Sequence, residues 1–307
     1  MIIKHADSKQ NDIVILQSLL NHPQANADTK TRIEREIRNI QAGIKGEQEA
    51  AYEMKVHYEN SKNWMVLHDL RIEHQGLFAQ IDHLLINRWL DMWVCESKHF
   101  SEGVAINEQG EFVGFFRSKP YGVPSPIEQN NRHMLVLKRL FDSGAVPLPT
   151  RLGFTLKPSL SSLVLVSKGA RIARPKAKLD GLQAVIKNDQ LFKTIDKAVD
   201  DSGPLSSIAK IVSTDTLEGV ARAVAKLHQP LVFNWHGKFG LTEQVAPRTT
   251  DSPKTSAPSS KLQCHGCGCT VPYNVAKFCW FNKPKFGGNV FCMNCQKTAV
   301  LSDAPSA

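Results

Sequence analysis

Two acidic residues occupy matching places on either side of a short polar segment that predicts a β-turn. In residues 78–100, FAQIDHLLINRWLDMWVCESKHF, two apolar runs flank the segment 87–91, a pattern typical of a β-hairpin. A turn centred on Trp89 places Asp82 directly opposite Glu96, because the two residues are equally far from the centre. The pattern therefore predicts two carboxylates side by side on neighbouring strands.

Such a pair is costly unless a cation lies between its members. Opposed side chains on paired strands have Cβ atoms about 5 Å apart, and like charges at that distance repel. Mg²⁺ or Mn²⁺ would remove the repulsion, since Mg²⁺ prefers oxygen ligands and usually takes one or two protein carboxylates. Lys98 shares the strand face of Glu96 and could orient a water molecule or neutralise developing negative charge. The alternative is an exposed strand end, where Lys98 pairs with Glu96 and contributes little.

A second group of residues with metal-binding chemistry lies near the C-terminus. The pairs Cys264/Cys267 and Cys292/Cys295 are two C-x2-C motifs, whose sulfurs predict a tetrahedral Zn²⁺ site of the kind found in a zinc ribbon. Cys269 could replace Cys267 as a ligand, and Cys279 could be a core thiol. A redox dithiol and an iron–sulfur site are the competing interpretations.

The cysteine module is also basic and aromatic. No Asp or Glu occurs between Asp251 and Asp303, and lysines and aromatic rings can contact phosphates and stack on bases. The candidates for this contact are Lys277, Trp280, Lys283 and Lys285. Nucleic-acid binding is favoured over a role as a protein-docking ribbon.

The elements that must position these residues alternate between helix and strand. Isoleucines at 33, 37, 40 and 44 predict a helix that begins near Thr31, which Gly43 and Gly46 could bend or break. Residues 103–126 are rich in glycine and proline and predict a loop. The other predicted elements are strands at 64–70, 78–87, 92–100, 160–167 and 182–186, and helices at 127–141, 189–200 and 214–228.

Composition divides the chain and limits its class. We predict a leader at 1–30, a main domain at 31–240, a flexible Ser/Thr/Pro-rich linker at 241–261 and a cysteine module at 262–300. With 42% hydrophobic and 22% charged residues over 307 positions, the chain is typical of a globular protein.

Charge and cysteine content indicate location and partners. Six of the seven cysteines follow residue 263, which does not fit a secreted disulfide scaffold. No apolar run is long enough to span a bilayer, and no signal peptide is apparent. We therefore expect a soluble, cytoplasmic protein with no membrane partner. The net charge of +9 makes nucleic acid the first suspected partner and an anionic membrane surface the second.

Four motifs in order resemble the NERD family (nuclease-related domain), a branch of the PD-(D/E)xK nuclease superfamily. They are Gly46-Glu47, Ile81-Asp82-His83, Glu96-Ser97-Lys98 and residues 126–130, PIEQN. The resemblance covers roughly residues 40–200 and implies a restriction-endonuclease-like α/β domain with an αβββαβ core. It also implies that Asp82 and Glu96 bind the metal, that Lys98 assists the water, and that Glu47 and Gln129 complete the site.

These observations together predict a metal-dependent nuclease that cleaves DNA in preference to RNA, with a zinc ribbon that helps to hold nucleic acid. The alternative is a nuclease-like module that binds DNA or protein without catalysis. His83 is predicted to be a packed or hydrogen-bonded histidine rather than a ligand. His133, one helical turn beyond Gln129, could face the same cleft, but a surface role is favoured.

Overall fold

A computed structural model of the chain describes residues 1–201, 211–242, 262–281 and 283–297. The chain divides into two compact units, residues 1–244 and 245–307, and each is described by itself. In these described ranges no helix combines the length and the apolar character that a bilayer-spanning helix requires.

The first unit is built on a mixed sheet of six strands. The strands are β1 (Ile2–Lys4), β2 (Trp64–His74), β3 (Leu77–Asn87), β4 (Asp91–Lys98), β10 (Ser159–Val166) and β12 (Val185–Lys187), in that spatial order. β2, β3 and β4 form an antiparallel meander. β1, β10 and β12 each pair in parallel with a neighbour.

Helices cover both faces of this sheet. They are α1 (Gln10–Leu19), α2 (Ala27–Tyr58), α3 (Pro126–Asp142), α4 (Leu191–Asp201), α5 (Thr214–Ala225) and the short α6 (Trp235–Phe239). The apolar sides of α3 and α5 pack on one face of the meander, and those of α2 and α4 pack on the other. The series α2-β2-β3-β4-α3-β10 is the predicted αβββαβ core, so the predicted fold class is confirmed.

Helix α2 is longer than the sequence predicts. It begins at Ala27 rather than near Thr31, because Asn26 caps it by accepting a hydrogen bond from the N–H of Thr29. It also runs unbroken through Gly43 and Gly46. Gly46 lies where the helix crosses the end of β4, and a Cβ there would be 3.1 Å from Cβ of His99. The glycine therefore permits a close approach and does not break the helix.

We expect Gly46→Ala to be less stable than Gly43→Ala by about 1–2 kcal/mol, because overpacking a tight contact typically costs 1–3 kcal/mol. A Cβ at Gly43 meets nothing closer than Oε1 of Glu47 at 3.9 Å, so alanine there should stabilise the helix by about 0.5–1 kcal/mol. Urea unfolding of the two variants measures the difference. Equal stability would show that the helix can move away from His99 at no cost.

The prediction of a loop at 103–126 is wrong. The region forms β5 (Gly103–Ile106), β6 (Phe112–Phe116) and β7 (Lys119–Val123), which join β11 (Arg171–Ala173) in a second sheet of order β11-β5-β6-β7. Its apolar residues pack against the ends of β10 and β12. A further hairpin, β8 (Thr150–Arg151) with β9 (Phe154–Thr155), precedes β10.

The predicted leader and linker boundaries also differ from the structure. β1 pairs with β2, and α1 packs with α2 and α6 around Leu16, Ile33 and Trp235, so residues 1–30 are part of the first unit. Leu241 is buried in the same cluster, which extends this unit beyond the predicted boundary at 240. The rest of the predicted linker, residues 243–261, lies outside the described part of the chain.

The second unit contains two helices between its cysteine pairs. They are α7 (Tyr273–Phe281) and α8 (Lys283–Phe286), followed by a 3-10 turn at Cys295–Lys297. Near the first cysteine pair Gln263 and Thr270 form an antiparallel bridge. The paired cysteine turns are compatible with a zinc-ribbon-like module, but the interval between them is helical in its described part.

Candidate active site and metal centre

The predicted pairing of β3 with β4 is confirmed. The ladder of the two strands ends at the pair His83 and Cys95, in the register that a turn centred on Trp89 gives. Beyond this pair the carboxylate of Asp82 reaches across to β4. Its Oδ2 accepts a hydrogen bond of 2.7 Å from the backbone N–H of Ser97.

Glu96 and Lys98 project from β4 next to this carboxylate. Nζ of Lys98 donates to Oε1 of Glu96 at 2.6 Å and to Oε1 of Gln129 at 3.2 Å. Gln129 comes from the first turn of α3, where Ser125 caps the helix. Oε2 of Glu96 is buried and has no hydrogen-bond partner among the described residues. This unpartnered oxygen is an available ligand atom.

Glu47 is supplied by α2, next to the close contact of Gly46. Both of its carboxylate oxygens accept hydrogen bonds from Nζ of Lys9, at 2.6 and 2.8 Å. Burial opposes the charge on Lys9, but Glu47, together with Asp69 and Asp82, raises the pKa of this amine above its usual value. Lys9 is therefore an internal cation beside the acids.

The acids influence one another strongly. Burial raises the pKa of Asp82 well above its usual value, and the nearby charges of Glu96 and Glu47 raise it further. Burial also raises the pKa of Glu96, although Lys98 beside it favours the charged form. We call Glu47, Asp82 and Glu96 the acid cluster. A nearby cation favours the charged forms of Asp82 and Glu96.

Two cavities share Lys9 and two members of the acid cluster, Glu47 and Asp82, in their linings. One has a volume of about 590 Å³ and the other about 400 Å³. Both are lined by Lys9, Glu47 and Asp82, together with Asp7 and Ser8. Glu47 and Asp82 are thus reachable through either cavity.

The acid cluster is looser than a formed metal site. In the described ranges outside the cysteine module, no three His, Cys, Asp or Glu side chains bring their ligand atoms within 4.8 Å of one another. The amines of Lys9 and Lys98 lie against Glu47 and Glu96. A metal held by all three acids would require these ion pairs to rearrange.

A buried chain of hydrogen bonds supports the site from behind. Nδ1 of His68 lies 2.7 Å from Nδ1 of His83, and Nε2 of His83 lies 3.0 Å from Oγ of Ser97. Burial is the main cause that lowers the pKa of His68 to about 4 and that of His83 well below its usual value. His83 is the buried, hydrogen-bonded residue that the sequence predicts. Ser97 links this chain to Asp82 through its backbone N–H.

His133, one helical turn after Gln129, is buried rather than on the surface. Neither of its ring nitrogens has a hydrogen-bond partner among the described residues. Burial, together with Arg132 and Lys98, lowers its pKa to about 4. The ring is therefore neutral near neutral pH and makes no ion pair with the acid cluster.

We expect His133→Gln to gain stability relative to wild type when the pH falls from about 7 to 5. The unfolded histidine takes up a proton near its ordinary pKa of 6.5, while the folded one stays neutral down to about 4. The unfolded state therefore binds more protons in this window, and wild type loses about 1–2 kcal/mol that the variant keeps.

Denaturant unfolding at both pH values measures this difference. The control is His5→Gln, which changes an exposed histidine. The same pH dependence in His133→Gln and wild type would contradict the expectation.

In the second unit the sulfurs of Cys264, Cys267, Cys269 and Cys292 lie within 4.8 Å of one another. Sγ of Cys267 is 3.4 Å from that of Cys269 and 3.7 Å from that of Cys292. The group differs from the predicted set by containing Cys269 in place of Cys295. The Cys295 thiol nevertheless interacts with Cys264, Cys267 and Cys292, so five thiols converge.

Backbone groups and neighbouring thiols set the acidity of these cysteines. Backbone N–H groups, first that of Cys292, lower the pKa of Cys264 to about 6. Hydrogen bonds with Cys267 and Cys292 raise the pKa of Cys269 and of Cys295 to about 12. Cys279 is buried and accepts hydrogen bonds from Phe291 and Gln296 instead, consistent with the expected core thiol.

The predicted nucleic-acid contacts of this unit are placed only in part. Trp280 packs partly against the small core of the module. Lys285 is exposed, and its Nζ lies 5.4 Å from the ring centre of Phe286. The side chains of Lys277 and Lys283 lie outside the described part of the chain.

The sequence did not reveal the position of Lys9. It lies 38 residues before Glu47 in the chain, in a segment without a recognisable pattern. Its contact depends on how β1 and α1 pack against α2. The excess of carboxylates over amines near the predicted site was the available signal that another cation was needed.

Comparison with known families gave one match. Residues 42–163 match the family model of NERD, the nuclease-related domain. The matched residues include Glu47, Asp82, Glu96, Lys98 and Gln129. The comparisons found no match among curated proteins and none among solved structures.

Proposed function

We propose that the chain hydrolyses phosphodiester bonds in nucleic acid with a divalent metal ion, on the premise that residues 42–163 match the family model of NERD, the nuclease-related domain. The observation that carries the proposal is that Asp82 of β3 lies beside Glu96 and Lys98 of β4, where the ladder between the two strands ends. DNA is the preferred substrate in this proposal, as the sequence resemblance implies.

The donor set fits Mg²⁺ or Mn²⁺. Asp82 and Glu96 are neighbouring buried acids, and Glu96 has a free buried oxygen. Hard cations of this kind take one or two carboxylates and fill their remaining positions with water and phosphate. Glu47 acts electrostatically on both acids, and it would contribute a ligand only if Lys9 released it and its side chain moved closer. When bound, the metal lowers the pKa of water and stabilises negative charge on the phosphate.

The chain's own residues position the reaction. Hydrolysis forms one P–O bond from water and breaks one P–O bond to the sugar. The products are a phosphate monoester and a hydroxyl, and the proton lost by water balances the one gained by the leaving oxygen. Lys98 would hold the attacking water and offset the developing negative charge. Gln129 and Glu96 fix the position of its amine through the hydrogen bonds described above.

The cysteine module would hold Zn²⁺ and assist nucleic-acid binding. Three cysteines, Cys264, Cys267 and Cys292, are common to the predicted ligand set and to the observed group. In this proposal Lys277, Trp280, Lys283 and Lys285 face the nucleic acid. A cytoplasmic location, where thiols stay reduced, completes the proposal.

One observation favours a second candidate, a nuclease-like module that binds nucleic acid or protein without catalysis. The amines of Lys9 and Lys98 already neutralise part of the acid cluster. In a non-catalytic module these ion pairs would be permanent, and no metal would be needed.

Cleavage assays separate the two candidates. Plasmid and single-stranded DNA are incubated with the full chain and Mg²⁺ or Mn²⁺, and the products are resolved on gels. The proposal expects cleavage that requires the metal and stops when a chelator is added. DNA that stays intact at high protein concentration while it binds the protein would favour the non-catalytic module.

A further inference from the structure

A row of cations begins at the same edge of the sheet as Lys98. β4, β10 and β12 are parallel neighbours whose last residues are in register, Lys98 with Val166 and Val166 with Lys187. Residues in register on parallel strands point to the same face. The side chains of Lys98 and Lys187 therefore project from the same face of the sheet. Their strands are two positions apart, a distance of about 10 Å at the usual strand spacing.

The chain continues this row after β10. Ser167 holds the end of β4, since its N–H donates to the carbonyl of Lys98 and its Oγ lies 2.7 Å from Nδ1 of His99. Lys168, Arg171 and Arg174 follow and are exposed. We call Lys168, Arg171, Arg174 and Lys187 the basic row.

Three members of the basic row share one cavity. The cavity has a volume of about 380 Å³ and is lined by Arg171, Arg174 and Lys187, without any acidic residue. A space walled by three cations has the electrostatic character of an anion site.

The cations of the row are not neutralised by carboxylates in the described part of the chain. The guanidinium of Arg174 donates to the backbone carbonyl of Val185, and Nζ of Lys187 donates to that of Lys168 at 3.1 Å. Glu102 shares a cavity lining with Arg171, but its oxygens accept from the backbone N–H groups of Arg117 and Ser118. The positive charge therefore faces solvent.

We infer that the basic row binds the phosphate backbone of the nucleic-acid strand on one side of the bond to be cleaved. The inference rests on the proposed function, because it takes the acid cluster as the place of the scissile phosphate. Lys187 lies about 10 Å from Lys98 at the usual strand spacing, which exceeds the 3.4 Å axial rise per phosphate of one strand. The basic row would therefore contact more than one phosphate. Such contacts fix register without reading sequence.

The test variant is Arg171→Ala with Lys187→Ala. Arg174 is kept because it holds the carbonyl of Val185. The matched control is Lys30→Ala with Arg35→Ala, which removes two exposed cations from α2. Lys30 precedes Gly46 by 16 residues in that helix, which is about 24 Å at 1.5 Å per residue.

Fluorescence anisotropy is recorded with labelled single-stranded and duplex DNA of about 20 residues at several salt concentrations, without added divalent metal. We expect the test variant to bind about tenfold more weakly and to lose about 1.4–1.8 from the slope of log K against log salt, since each phosphate contact contributes about 0.7–0.9. The control should keep the affinity and slope of wild type.

Equal weakening by the test and control pairs would overturn the inference, since only overall charge would then matter. Vesicles that contain phosphatidylserine are the second comparison. If they compete with DNA for the wild-type protein, and the test variant binds both DNA and vesicles more weakly to the same extent, the inference is also overturned. Absence of any DNA binding by wild type would overturn it as well. Cleavage is measured separately. If the test variant keeps the salt slope of wild type and the protein cleaves DNA, the inference about the basic row is rejected but the proposed function is not. If the test variant loses salt slope but the wild-type protein does not cleave DNA, the proposed hydrolysis is rejected and the basic row remains a phosphate-binding site.

Discussion

Replacing Asp82 with alanine is expected to lower the rate of metal-dependent DNA cleavage by at least about 10²- to 10³-fold, the usual cost of removing one electrostatic contact to a reacting group. Asp82 is the acid whose pKa the nearby charges of Glu96 and Glu47 raise. Without it the remaining acids would not hold a cation next to Lys98.

The same substitution should leave the fold nearly as stable as wild type. The raised pKa of Asp82 means that the fold already disfavours its charge, and alanine removes that cost while leaving one N–H, of Ser97, without its acceptor. Melting temperatures of the two proteins check this point. The loss of cleavage can then be assigned to chemistry and not to unfolding.

Asp200→Ala is the matched control, because it removes an exposed carboxylate from α4. It should cleave at the wild-type rate. If Asp82→Ala retains the cleavage rate and metal requirement of wild type, Asp82 does not hold the metal and the proposed site is wrong.

Removal of zinc is expected to unfold the second unit while the first stays folded. The core of this unit is small, with Cys264 itself packed beside Val271 and Ala276. Structural Zn²⁺ contributes about 10 kcal/mol or more in zinc-finger peptides, far more than a core of this size provides. Limited proteolysis with and without chelator should show cleavage confined to the second unit.

The same reasoning gives different expectations for individual cysteines. Five thiols converge where Zn²⁺ takes four, and Cys269 and Cys295 compete for one position. We expect Cys264→Ser to lose zinc, whereas Cys269→Ser and Cys295→Ser each keep it, because the other thiol can replace the missing ligand. The double variant of Cys269 and Cys295 should lose it.

Elemental analysis of the purified chains measures zinc per molecule. Cys279→Ser is the control, since its thiol accepts hydrogen bonds in the core and lies outside the group of four. Loss of zinc from Cys295→Ser alone would show that the two C-x2-C pairs are the ligands and that Cys269 cannot substitute.

The local parts of the fold were predictable from the sequence. The hairpin that carries Asp82 and Glu96 has a short connection, so the position of its turn determines which residues face each other. The observed ladder follows the register expected for a turn at Trp89. The isoleucine spacing in α2 and the cap at Asn26 are also local signals, although the glycines suggested a bend.

The second sheet was missed because its strands contain residues that normally indicate turns. Pro120 and Gly122 lie on β7, which is an edge strand, where proline is tolerated. Gly114 on β6 faces Tyr121, and a Cβ at that position would lie 2.5 Å from the tyrosine ring. The glycine makes room for an aromatic ring across the strand pair. The role of Gly114 becomes apparent only when the pairing of β6 with β7 is known.

The candidate site was predictable only in its strand component. The mutual positions of Asp82, Glu96 and Lys98 follow from the hairpin, but the contact of Lys98 with Gln129 depends on how α3 packs on the sheet. Lys9 reaches Glu47 through tertiary packing between segments that share no local pattern. Side-chain distances of this kind are set by the whole core and not by spacing along the chain.

Helix α2 belongs to two separate hydrophobic cores, and this limits which insertions and deletions the sequence can accept. Its first half packs through Ile33 in the cluster with α1 and α6, and its second half packs through Ala50 and Met54 under the main sheet. Each residue turns an α-helix by about 100°. An insertion or deletion of one residue between Ile33 and Gly46 would therefore swing Glu47 out of line with the other acids. The helix can accept new side chains on its outer surface, but its length between the two cores is fixed.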